Sequence, residues 1–83
     1  MKLMGRHLLH RLATSGTGDL AGVVSALCAE LEAARWASPT AALADYPEAS
    51  LDKHRLEIPI TNGVRVRLAI NSAAGAVLIE AVG

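Results

Sequence analysis

Apolar residues fall on every second position at Leu56, Ile58 and Ile60, and again at Val64, Val66 and Leu68. The same alternation returns between Ala76 and Val82. Between Leu20 and Ala34 the period changes: Leu20, Val23, Val24, Leu27, Leu31 and Ala34 lie three and four residues apart. The first pattern predicts strands. The second predicts an amphipathic helix from Leu20 to about Trp36, capped by Asp19, with Glu30, Glu32 and Arg35 mainly on its wet side.

The hairpin register follows from the pattern. A two-residue Asn62-Gly63 loop would set Ile60 against Arg65 and Ile58 against Arg67, mixing apolar and charged side chains on one face. A three-residue loop of Thr61, Asn62 and Gly63 sets Ile60 against Val64, Ile58 against Val66 and Leu56 against Leu68. A one-residue slip inverts every side chain, so this second register is favoured, with Gly63 left-handed. Pro59 then faces Arg65 and Glu57 faces Arg67. A second loop, Ser72 to Gly75, pairs Ile70 with Val77, Leu68 with Ile79 and Val66 with Ala81. That register puts Glu80 beside Arg67, so Arg67, Glu57 and Glu80 are expected to form a structural tie, whereas Arg65 has no acid.

Upstream, Met1 to Gly5 reads as an edge strand or an extended arm, and His7 to Thr14 as a short helix through Leu8, Leu9 and Leu12. Ser15-Gly16-Thr17-Gly18 breaks the chain; without a lysine it reads as a helix connector, not a phosphate loop. Ser38-Pro39 stops the long helix and starts a helical turn that Tyr46-Pro47 ends. Glu48 to Lys53 reads as a polar connection. The expected fold is α+β in a single domain over residues 1–83, in the order βααβββ or ααβββ. Its helices pack on one face of a small, mainly antiparallel sheet.

With 2% aromatic residues and no Phe, the core must come from Leu, Val and Ile. Eight basic residues balance eight acidic ones, so no global field draws in nucleic acid or an anionic membrane. Polyanion binding would have to be local, and no DNA binding by the chain alone is expected. A lone Cys28 fits a reducing compartment. The N-terminal stretch makes neither a signal-peptide core nor a membrane span, so a cytoplasmic protein without membrane contact is expected. His7 and His10 lie one helical turn apart, but two ligands are too few for zinc. No metal and no cofactor are expected.

Three blocks carry a resemblance: Trp36-Ala37-Ser38-Pro39, Tyr46-Pro47-Glu48-Ala49-Ser50, and Arg55-Leu56-Glu57-Ile58-Pro59-Ile60. With Val64-Arg65-Val66, Ala69-Ile70-Asn71, Val77-Leu78-Ile79 and Val82-Gly83, their order and spacing resemble HigB-type toxins of the RelE superfamily. The resemblance implies a RelE-like βααβββ fold and an mRNA endoribonuclease that acts at the ribosome, inhibits translation and growth, and is neutralised by an antitoxin protein. The implied reaction is metal-independent: a ribose 2′-hydroxyl attacks the adjacent phosphate, basic groups stabilise the developing charge, and an acid protonates the leaving oxygen. By position, Arg65 would bind the scissile phosphate. Its aromatic neighbour in the family is Val64 here, which removes base stacking. The family continues past Val-Gly with a His- and Tyr-bearing segment; this sequence ends at Gly83, so impaired catalysis is expected.

Each of these residues also has a plainer role. Arg65 is a phosphate ligand or a solvated strand arginine. Lys53, His54 and Arg55 form a basic cluster that would support RNA binding, and His54 is the only histidine near the sheet that could stand in as the catalytic acid/base group; otherwise His54 is a polar loop residue. Cys28 reads as an inert, buried thiol. The competing function is a non-catalytic module on the same scaffold that binds an antitoxin-like chain or acts as an inhibitor, using Ala76 to Val82 as an exposed edge that accepts a strand.

Overall fold

The computed structural model describes residues 1–15, 20–61 and 63–83, excepting the side chains of Ser15 and Thr61. The expected breaker at 16–18, the Asp19 cap and the Asn62 turn position lie outside the described residues. The elements are β1 (Lys2–Met4), α1 (Arg6–Ser15), α2 (Leu20–Ala33), a 3₁₀ turn (Pro39–Ala41) running into α3 (Ala42–Asp45), β2 (Ser50–Asp52), β3 (Arg55–Thr61), β4 (Val64–Asn71) and β5 (Ala76–Val82). The strands form one mixed sheet in the order β1-β5-β4-β3-β2. Only the β1–β5 pairing is parallel among those described.

The α+β architecture follows from the alternation. Inward residues Leu56, Ile58, Val66, Leu68, Ile70, Val77 and Ile79 join Leu9 of α1 and Leu20, Val24, Leu27 and Leu31 of α2 in one buried cluster. Burial of each such side chain contributes about 1.5–3 kcal/mol. Both long helices therefore cover one sheet face, and the residues between the buried ones point the other way.

Helix α2 stops at Ala33, short of the expected Trp36. The amide of Ala34 donates to the Leu31 carbonyl at 3.3 Å, a tightened last turn, and the Met1 ammonium takes the Glu32 and Ala34 carbonyls at 2.8 Å each. Trp36 then turns inward, where its indole N–H donates to Asp45 at 2.8 Å and its ring meets Tyr46 edge-on. Gly5, between β1 and α1, has φ +77°, and a Cβ there would lie 2.5 Å from the Ile79 carbonyl oxygen. Only glycine lets β1 pass so close to β5 before the chain turns into α1.

Three expectations are corrected. The stretch read as a polar connection contains β2, which pairs antiparallel with β3 through Leu51 and Leu56, so four strands follow the helices instead of three. The intervening turn places Lys53 at φ 59°, without the glycine that would have signalled it. Next, β5 is not a free edge: Ala76 to Leu78 are paired with Lys2 to Met4.

The third correction concerns register. Leu56–Leu68, Glu57–Arg67, Ile58–Val66 and Pro59–Arg65 pair as the alternation predicts, and Gly63 is left-handed at φ +75°. Val64, however, lies opposite Thr61, so Ile60 is bulged. A second bulge sets Arg67 opposite Ala81 and Val66 opposite Val82. The extra residue of this bulge is Glu80, and the shift brings Val82, larger than Ala81, against the core.

Candidate nucleic-acid interface

The uncovered sheet face gathers the charged residues of β3, β4 and β5. Alternation from the buried positions puts Arg55 and Glu57 of β3 beside Arg65 and Arg67 of β4, and the bulge in β5 adds Glu80. The arginine side chains are 57–65% exposed, and the two glutamates 28%. On these three strands three cations meet two carboxylates, and Asp52 of β2 lies opposite Arg55 and adds a third.

Pairing differs from expectation in two respects. Arg65 is not without an acid: its Nη1 lies 2.9 Å from Glu57 Oε1. Arg67 donates through Nη2 to the other oxygen, Oε2, at 3.1 Å. Glu57 faces Arg67 directly and reaches Arg65 diagonally, a distance that a long guanidinium side chain spans. Hydrogen bonds from Arg65 and then Arg67 hold the Glu57 carboxyl below its ordinary range. Second, Glu80 does not complete a tie around Arg67. It pairs with Arg55 at 3.2 Å, because the bulge turns it along the sheet. The expected structural set of Arg67, Glu57 and Glu80 is therefore split between two ion-pair groups.

Two grooves run over this face. One of about 550 Å³ is lined by Ser50, Asp52, Arg55, Glu57, Arg67 and Glu80, among others. The other, of about 350 Å³, lies over Glu57, Arg65, Arg67 and the Ala81–Gly83 stretch. They share Glu57, Arg67 and Ala81. The backbone under Arg65 is fixed by a reciprocal pair: its amide donates to the Gly83 carbonyl at 3.0 Å, and the Gly83 amide donates back at 2.9 Å.

The basic cluster and Arg65 are not brought together. His54 and Lys53 occupy the β2–β3 turn, where the His54 carbonyl accepts from the Ile70 amide at 2.8 Å. Arg65 is five residues further along β4, roughly 17 Å at strand rise. That separation exceeds the hydrogen-bond reach that a shared phosphate requires. Arg55, opposite Ala69 on the open face, shares the 550 Å³ groove with Arg67 but not the groove over Arg65. Sequence reasoning missed the second arginine of the Glu57 fork; the diagonal position of Arg65 two residues from Arg67 was the available signal.

Elsewhere, Cys28 sits half-buried beside α1, and burial pushes its thiol above the ordinary value, which disfavours the reactive thiolate. Among the described residues, no group of three His, Cys, Asp or Glu side chains could hold a metal ion. No helix among them is long and apolar enough to cross a membrane. No protein-family model matches the chain, and no curated protein matches it in sequence.

Proposed function

We propose that this domain is a toxin of the HigB/RelE kind, an mRNA endoribonuclease whose open sheet face binds the RNA backbone and whose Arg65 contacts the phosphate at the cut. The observation that carries this reading is the Arg65–Arg67 fork: two exposed guanidinium groups from one strand already hold a two-oxygen anion. Guanidinium groups suit a phosphodiester because they donate in pairs and keep their charge at any physiological pH. They stabilise charge on a phosphorane-like transition state but do not move protons. His54 lies too far from Arg65 to do so, so the reading is of an enzyme with impaired cleavage whose protons pass through solvent.

The mode of recognition is backbone-directed. The chain has one Trp and one Tyr, and both lie in the corner between α2 and α3, where they pack on each other. Single-stranded RNA is usually gripped by stacking bases on aromatic side chains. On this face, phosphate contacts from Arg65, Arg67 and Arg55 take that place. The partners proposed with this reading are mRNA on the ribosome and an antitoxin protein.

One observation favours the second reading, a non-catalytic protein-binding module. Met4 and Leu78 stand side by side on neighbouring strands, 43% and 40% exposed, on the face that carries the arginines. A partner that covers this apolar pair would not need the arginines to touch RNA.

Induced expression separates the readings. The toxin reading predicts growth arrest that Arg65→Ala abolishes at equal soluble protein. Arrest by both proteins, or by neither, contradicts it. Loss of a co-purifying partner on Leu78→Ser, with growth unaffected throughout, supports the module.

A further inference from the structure

Glu57 occupies the place where the proposed reading needs a phosphate. Its two carboxylate oxygens are divided between two guanidinium groups, Oε1 to Arg65 and Oε2 to Arg67. A phosphodiester presents the same arrangement, two anionic oxygens on one centre. Both guanidinium groups are more than half exposed, so an incoming anion reaches them from the 350 Å³ groove without disturbing the core.

The carboxylate also has somewhere to go. Ser50 lies directly opposite Glu57 on β2, and the 550 Å³ groove opens over both. Rotation of the Glu57 side chain toward β2 leaves the fork and brings it within the span of a neighbouring hydroxyl. On its other flank, Arg55 is engaged by Glu80, so a displaced Glu57 does not meet a free cation on its own strand. Pro59 follows two residues later, beyond the end of β2, where its missing N–H leaves no ladder bond broken.

From this geometry we infer that Glu57 is a built-in competitor for the anion site: without ligand its carboxylate fills the Arg65–Arg67 fork, and a phosphate group binds by displacing it. This inference rests on the RNA-binding reading for its biological ligand, but not for its chemistry. The consequence is an affinity set by exchange of one anion for another. The fork is held ready in shape, and isolated phosphates gain little by entering it. A polyphosphate backbone that also engages Arg55 gains more, so the device favours a strand over a single anion. The opposite role is also definite: if Glu57 only positions the arginines, its removal weakens binding.

Titrations with inorganic phosphate and with a uridine decamer distinguish these roles, using wild type, Glu57→Gln, and Glu57→Gln combined with Arg65→Gln. Competition predicts that Glu57→Gln binds inorganic phosphate about tenfold more tightly than wild type, as release of two surface ion pairs allows. The double variant should lose that gain. Glu57→Ser should match Glu57→Gln, which separates charge from side-chain shape. Equal or weaker phosphate binding by folded Glu57→Gln overturns the inference. Tighter phosphate binding with no gain for the decamer upholds the competition and contradicts the RNA reading.

Discussion

The two faces of one sheet respond to opposite demands. On the helix side, Leu56, Ile58, Val66, Leu68 and Ile70 are no more than 4% exposed, and each depends on its neighbours for position. On the other side, Arg55, Arg65 and Arg67 share the same strands but are 57–65% exposed. The same alternation produces both. Since the side-chain period is two, the register that buries the aliphatic set must also present the arginine set. Stability therefore resides on one face and the proposed chemistry on the other, and substitutions on the two faces should separate cleanly.

The largest effect is expected on the covered face. Leu68→Ala removes a fully buried side chain at the centre of the sheet and should cost about 2–5 kcal/mol, read as the free energy of denaturant unfolding. A cost under about 1 kcal/mol would mean that the core is loosely packed and that register is not held by burial. An intermediate effect is expected at Tyr46, outside both faces. Burial, and then the hydrogen bond to Glu30, raise its phenol above the ordinary value. The folded chain therefore keeps a proton that the unfolded chain loses above about pH 10. Stability from this group is complete below that pH and falls as pH rises above it. A thermal melting series through the alkaline range should show this decline in wild type and a shallower one in Tyr46→Phe. The same slope in both proteins would remove Tyr46 as the cause.

The smallest effect belongs to the open face. Arg67→Gln leaves Glu57 paired with Arg65, and exposed pairs contribute little, so the Tm should fall by less than about 4 °C. A larger drop would show that the open face also carries the fold and would erase the contrast between the faces.

Much of this division was legible in the sequence. Four of the central β3–β4 pairs follow from alternation and the short loop, because a one-residue slip would bury an arginine. The long helix and the Pro39 turn announce themselves by spacing and by proline. The ends of the strands were not legible. Whether Glu80 pairs or bulges depends on which of Ala81 and Val82 fills the last core position, a choice that packing makes and periodicity does not. Strand β2 has three residues, one of them apolar, and its turn uses Lys53 in a conformation that sequence rules reserve for Gly or Asn. The β5 bulge changed the site itself by sending Glu80 to Arg55, whereas the Arg65–Glu57 diagonal and the distance of His54 from Arg65 follow from the central register.

The central claim is that the open face acts on RNA through Arg65. Mapping of 5′ ends on an mRNA translated in the presence of the purified protein tests it most directly, with Arg65→Ala of equal stability alongside. The proposal predicts cuts at fixed positions within codons for wild type and their loss in the variant. Intact mRNA with both proteins, or the same cuts with both, would contradict it.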